Sequence, residues 1–224
     1  RWGVGSDEPP TALGTNDPLV GSAVAHGFAE EIGQAKSSIV LISPYFVPGD
    51  HGSLSLTNAV KRGPKVSILT NSLAANDVAA VHGGYSKYRD RLIDGGVSIW
   101  ELKPDPKQTG KSSMMGSSGA SLHTKSAIFD DQTSFVGSFN LDPRSVKLNC
   151  EQGVFATDPE LSAELAAMFS RGTSGEVSWR VDHDPKGELR WTDATRVLHE
   201  EPDASSSRRF QAWLFRWLPF DSQL

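Results

Sequence analysis

The sequence predicts an α/β domain built on a mixed, mostly parallel sheet with helices on both faces, carrying a small hairpin and an amphipathic helix at its C-terminal end. Three observations predict it. Helix-then-strand units succeed one another three times between residues 18 and 100, a hairpin pattern follows a long polar loop, and an aromatic pattern of helical period lies near the end.

From Pro18 to Lys36 apolar residues recur at helical spacing (Leu19, Val20, Ala23, Val24, Phe28, Ile32), and Ser37 to Ser43 then reads as a short buried strand closed by Pro44. The unit recurs. A helical stretch near Leu54 to Arg62 precedes Val66-Ser67-Ile68-Leu69, and Val78 to Asp94 precedes Val97-Ser98-Ile99-Trp100, with Gly and Pro at each junction. Lys103 to Ser121 has Pro, Lys, Gly and Ser without apolar periodicity and reads as a mobile surface loop. Next comes a hairpin pattern, Leu122 to Phe129 and Thr133 to Phe139, joined across Asp130-Asp131-Gln132. Asp158-Pro159-Glu160 starts a helix to Ser170, and two further short strands flank Asp184-Pro185-Lys186-Gly187. These readings divide the chain into a linker over 1–17, a main domain over 18–172 and a C-terminal appendage over 173–224.

The bulk numbers narrow the function classes. The chain has 224 residues, 38% hydrophobic, enough for one substantial core. Its net charge of -5 supplies no global basic field for tracking nucleic acid, so no nucleic-acid partner is expected. Cys150 is the single cysteine, which excludes an intrachain disulfide and a cysteine zinc cage. The first residue is Arg1, followed by a Pro- and Gly-rich lead, as expected for a piece of a longer protein.

The chemistry-bearing segment is His123-Thr124-Lys125, then Asp130, then Gly137-Ser138-Phe139-Asn140. Positions two apart on a strand share a face, so His123 and Lys125 project together, as do Ser138 and Asn140 on the partner strand. Together they offer an imidazole, a fixed cation and neutral donors, which is the set a phosphodiester needs. Metal is not expected, because Lys125 is a poor ligand and no second His or Cys stands at ligand spacing. No cofactor is expected either.

The spacing H-x-K-x4-D-x6-G-S-x-N resembles the HKD motif of the phospholipase D superfamily at every specified position. A chance match has odds on the order of one in 10^5. Leu41-Ile42-Ser43-Pro44-Tyr45-Phe46-Val47-Pro48, the stretch Tyr85 to Leu102, and Asn140-Leu141-Asp142-Pro143-Arg144-Ser145 extend the resemblance to the C-terminal half of bacterial cardiolipin synthases, the C-type among them. The resemblance implies a phospholipase D-like fold and a phosphatidyltransferase. In it His123 is a catalytic imidazole, Lys125 and Asn140 bind phosphate, and Ser138 adds a polar contact. Glu151 falls where such enzymes carry a carboxylate that orients the histidine, and Asp130 and Gly137 are structural.

Lipid-synthesising relatives hold two H-x-K motifs, and this chain has one, since His26, His51, His82, His183 and His199 lack a lysine two residues on. The missing half-site must come from an N-terminal half or from a second copy across a two-fold axis. The implied partners are a phospholipid, phosphatidylglycerol or phosphatidylethanolamine, and the bacterial cytoplasmic membrane, met from the cytosolic side. A homodimeric phosphodiesterase or nuclease and a non-catalytic phosphate- or lipid-binding module remain the alternatives. The five other histidines are expected to be structural. Phe210, Trp213, Leu214, Trp217 and Leu218 fall at i, i+3, i+4, i+7 and i+8, with Arg208, Arg209 and Arg216 nearby. That face either packs on the domain or anchors at a membrane, and the lipid substrate tips the expectation to the membrane.

Overall fold

The computed structural model describes residues 2–7, 22–104, 122–147 and 149–217. In chain order the elements are β1 (Trp2–Ser6), α1 (Ala23–Gln34), β2 (Ser38–Ile42), α2 (Gly49–Arg62), β3 (Lys65–Asn71), α3 (Ala79–Asp94), β4 (Ser98–Leu102), β5 (Ser126–Phe129), β6 (Thr133–Gly137), α4 (Pro143–Lys147), β7 (Gln152–Thr157), α5 (Pro159–Gly172), β8 (Ser178–His183), β9 (Leu189–Thr192), β10 (Val197–Leu198) and α6 (Ser206–Trp217).

The strands form one ten-stranded sheet in the order β1-β7-β6-β5-β2-β3-β4-β8-β9-β10. It is mixed, but its parallel part is limited to β2-β3-β4, and every other neighbouring pair is antiparallel. The expectation of a mostly parallel sheet came from the three helix-then-strand units. Those units do build the parallel centre, because a helix crossover returns the chain in the same direction, whereas the hairpins on either side reverse it. Helices cover both faces. Phe28 of α1 packs edge-on against Phe135 and Phe155, at ring distances of 4.6 and 5.7 Å. On the opposite face, Ser134 of β6 bonds Ser162 of α5 at 2.8 Å, which follows from the alternation of Ser134 with Phe135.

Two boundaries differ from the sequence reading. Residues 1–17 are not simply a linker, because Trp2–Ser6 pairs along most of β7, from Trp2 against Ala156 to Ser6 against Gln152. Alternating glycines hid this strand. Gly5 lets β1 lie against α1, where an added Cβ would meet Val24 Cγ2 at 3.3 Å. Nor is the stretch from 173 an appendage, since β8 pairs with β4 and the sheet runs on through β9 and β10. Trp179 and Trp191 from this part are buried members of the common core. The expected loop Lys103 to Ser121 lies largely outside the described residues.

Candidate active site

The site forms where β2 and β3 end and β5 begins. Ile42 pairs with Ser126, Ser126 with Val136, and Gly137 with Gly153, so the ends of β6 and β7 meet at the same sheet edge. His123 and Lys125 lie in the extended segment just before β5 and not within it. Lys125 stays in register, its carbonyl accepting the Gly137 amide at 3.2 Å. Leu122, one residue before His123, is held on both backbone groups by buried Asn71. Its amide donates to Asn71 Oδ1 at 3.0 Å, and its carbonyl accepts Asn71 Nδ2 at 3.3 Å.

Asn140 is fixed from both sides. Phe139 is buried against Phe28 at 5.2 Å, while the Leu141 amide donates to Ser43 Oγ at 3.3 Å and its carbonyl accepts the Val47 amide at 2.7 Å. The Ser43 to Val47 segment thus buttresses the loop that carries Asn140. The Oδ1 atom of Asn140 is buried and has no hydrogen-bond partner among the described residues; as an acceptor it suits a donor, whereas a phosphate oxygen would take the Nδ2 hydrogens.

Glu151 is 4% exposed, and its carboxylate accepts Ser138 Oγ and, at 3.1 Å, Asn149 Nδ2. Both Glu151 oxygens are turned to Ser138 and Asn149, and His123 is exposed. The Ser138 hydroxyl in turn accepts the Gln152 amide at 3.0 Å. Behind Glu151 stands Asp7, a residue the sequence reading missed within its linker. The Asp7 amide donates to the Glu151 carbonyl at 2.9 Å, and Asp7 Oδ2 accepts the Glu151 amide at 3.3 Å. The same carboxylate caps α1, accepting the Val24 amide and Ser22 Oγ, each at 3.1 Å.

Lys125 is half-buried, and its ammonium donates to the His123 carbonyl at 3.0 Å. Burial pushes the amine below its ordinary range, against the pull of Glu151 and Asp142, which favour the charged form. Asp142 is pushed up by burial and by the Glu151 charge, though the Ser145 amide at 2.7 Å holds it back. Among the described residues, Lys125 thus faces the carboxylates of Glu151 and Asp142.

Asp130 lies away from this cluster. It takes a left-handed φ of 55° at the β5-β6 turn, which Asp tolerates well. Its carboxylate accepts the amides of Lys36, Ser37 and Ser38 and the Ser37 hydroxyl, tying the turn to the start of β2. Gly137 makes room: an added Cβ would lie 2.4 Å from the Gln152 carbonyl oxygen and 2.6 Å from Phe135 Cζ. Only a glycine lets β6 run this close to β7 with the Phe135 ring beneath the site.

His82 lies 3.0 Å from Glu201 and His183 lies 3.1 Å from Asp90, both in hydrogen-bonded contacts away from the site. Among the described residues, the metal-capable clusters are His82-Glu101-Glu201 and Asp184-Glu188-His199, and neither includes a site residue. The first is taken up by Arg89, whose guanidinium lies 3.0 Å from Glu101 and 2.8 Å from Glu201.

Comparison with known proteins agrees with this arrangement. The family model described as "Cardiolipin synthase, PLD-like domain" matches residues 28–172. Cardiolipin synthase C of Escherichia coli is 38% identical over 225 residues, covering 94% of this chain and 47% of that protein. Cardiolipin synthase A of Pseudomonas syringae is 28% identical over 175 residues, covering 77% of this chain and 31% of its own length. The chain thus spans about half the length, or less, of these relatives. Among solved structures, the phospholipase D family member Nuc from Salmonella typhimurium superposes with a TM-score of 0.60 at 19% identity, covering 81% of this chain and 98% of that one. Phosphatidylserine synthase of Haemophilus influenzae superposes with a TM-score of 0.55 at 16% identity, covering 84% and 40%. With a family model matched over well over half its length, and with the fold of these structures, the chain belongs to the cardiolipin synthase, phospholipase D-like family.

Proposed function

We propose that this chain supplies one of two half-sites of a phosphatidyltransferase of the cardiolipin synthase type. The observation that carries the reading is that the segments bearing His123, Lys125 and Asn140 meet where β5 begins and β6 ends, with the Lys125 ammonium on the His123 carbonyl. The 38% identity to a cardiolipin synthase over nearly the whole chain supports the substrate class.

In the proposed reaction one histidine of the pair attacks the phosphorus of a phospholipid. A P–N bond forms and the P–O bond to the head-group alcohol breaks, while the second histidine, as imidazolium, gives that alcohol its proton. The second histidine, now neutral, then takes the proton from a phosphatidylglycerol hydroxyl. This hydroxyl oxygen attacks the phosphohistidine, and the P–N bond breaks. Splitting the displacement in two avoids direct attack by a weak alcohol. Lys125 and Asn140 hold the non-bridging oxygens, and Ser138, bridging to Glu151, steadies the cradle.

The charge balance supports a need for a second half. Among the described residues Lys125 faces the carboxylates of Glu151 and Asp142, and a phosphodiester would bring a further negative charge. A complementary motif would bring a second lysine and histidine. A homodimeric phosphodiesterase is the second reading, favoured by the 98% coverage of the Salmonella protein and disfavoured by the net charge of -5.

The test is lipid product analysis on phosphatidylglycerol vesicles, with and without phosphatidylethanolamine. It compares this chain, a longer form carrying the complementary motif, and His123→Ala in each. Cardiolipin from the longer form, lost in the variant, is the expected result. No lipid product from any form sinks the reading.

A further inference from the structure

The face by which α6 meets the domain is not its aromatic one. Ala212 is buried, and an added Cβ at Gly83 of α3 would lie 2.7 Å from the Ala212 carbonyl oxygen, so the two helices approach backbone to backbone. Arg208 Nε donates to the Leu73 carbonyl at 2.9 Å, and Arg216 reaches Asp90 at 3.4 Å, on this same inner side. Phe210, Trp213, Leu214 and Trp217 are left outward, 61%, 56%, 41% and 72% exposed. The Phe210 and Trp213 rings stack at 5.9 Å. Leu218 of the expected stripe lies outside the described residues.

We propose that α6 docks this domain on an anionic lipid surface, with Phe210, Trp213, Leu214 and Trp217 entering the headgroup region. Charge and area choose the occupant. Within a chain of net charge -5, α6 carries three arginines and no acidic residue. Of these, Arg209 keeps 36% of its side chain exposed, in a pair with the exposed carboxylate of Glu200 that lipid phosphates can replace. The stripe exposes on the order of 400–500 Å², taking about 150–250 Å² for a whole aromatic side chain. That falls short of the roughly 800 Å² per partner of a stable protein interface. It is the narrow aromatic band of a helix lying in an interface plane, where tryptophan is favoured.

Arg208 fixes the start of α6 to Leu73, two residues beyond Asn71, whose side chain holds the residue before His123. This inference goes beyond the proposed reaction and does not depend on it.

The experiment is flotation of the whole chain with vesicles of phosphatidylglycerol and phosphatidylcholine, and with phosphatidylcholine alone, paired with sedimentation velocity. Wild type is expected to bind the anionic vesicles, Trp213→Ala/Trp217→Ala to lose at least tenfold in partition, and Arg209→Glu to lose severalfold on the anionic vesicles alone. If the double variant loses its fold, Trp217→Ala, at the most exposed position of the stripe, carries the test. His123→Ala, which removes the proposed chemistry, should bind as wild type does, so docking and chemistry fail separately. Undiminished binding by the tryptophan variants overturns the proposal, as does equal wild-type binding to both vesicle types. A concentration-dependent dimer abolished by the tryptophan variants assigns the stripe to a second copy and overturns it too.

Discussion

Replacing Asp7 by alanine tests how far the N-terminal strand belongs to the site. The change removes three acceptor contacts of one buried carboxylate: the Val24 amide and Ser22 hydroxyl at 3.1 Å, and the Glu151 amide at 3.3 Å. Hydrogen bonds to a charged partner contribute about 1.5–3 kcal/mol, and a lost helix cap costs about 1 kcal/mol. The contacts share one side chain and the Glu151 bond is long, so the contributions are not additive, and a total of about 2–4 kcal/mol is expected. In a domain of this size 1 kcal/mol moves Tm by about 2–4 °C. Thermal unfolding by circular dichroism should therefore fall by about 5–15 °C for Asp7→Ala and by about half as much for Asp7→Asn, which keeps one carbonyl acceptor. Amide hydrogen exchange should show Glu151 and Val24 losing protection beyond the global change. A Tm within about 2 °C of wild type, with Glu151 protection intact, refutes the reasoning and returns residues 1–7 to the role of a passive lead.

Asp130→Ala should destabilise by about 1–2 kcal/mol at neutral pH through the lost backbone donors at the β5-β6 turn. Burial would raise this carboxyl, but the amides of Ser37, Ser38 and Lys36 hold it below its ordinary value of 3.8. A depressed folded pKa gives stability that is present above the unfolded value and lost as pH falls through the folded one. Urea unfolding should thus show the gap between wild type and variant narrowing below about pH 4, and a gap as wide at pH 2.5 as at pH 7 counts against this account. Asn140→Ala removes a buried oxygen that has no partner, so stability should change by less than about 0.5 kcal/mol while turnover of the longer form falls about 10²-fold or more. Comparable losses in both would make Asn140 a structural residue. Glu101→Gln should cost about 3–5 kcal/mol in urea unfolding, because fully buried Glu101 holds Arg89 at 3.0 Å, Tyr85 at 3.1 Å and Trp191 at 2.9 Å. A loss under about 1 kcal/mol would show that Glu201 alone suffices for Arg89.

What could be read from residues alone was local. The three helix-then-strand units before residue 100 fix the parallel centre, because apolar period and Gly/Pro punctuation are properties of neighbouring residues. The H-x-K spacing is of the same kind. What failed was pairing at a distance. Trp2–Ser6 alternates glycine with exposed Trp2 and Val4, so it shows no buried stripe, and its strand character comes from β7, some 150 residues away. The hairpin around Asp184-Pro185-Lys186-Gly187 is legible, but nothing in a hairpin's own sequence states that its outer edge will pair with β4.

The site shows the same division. The residues that would touch phosphate, His123, Lys125 and Asn140, lie within 18 positions and were found by spacing. Those that hold them do not. Asn71 grips Leu122 from 51 positions away, Ser43 grips Leu141 from 98, and Asp7 grips Glu151 from 144. Each is a buried polar side chain on another element, bonded to the backbone beside a site residue. Such a bond leaves no periodic trace in sequence, yet it decides geometry, because a backbone held at both polar groups cannot shift its side chain far. Glu151 belongs with these. It is held by Asp7 from behind, and its two oxygens accept Ser138 and Asn149, so the buried acceptor beside the site is itself placed from 144 positions away.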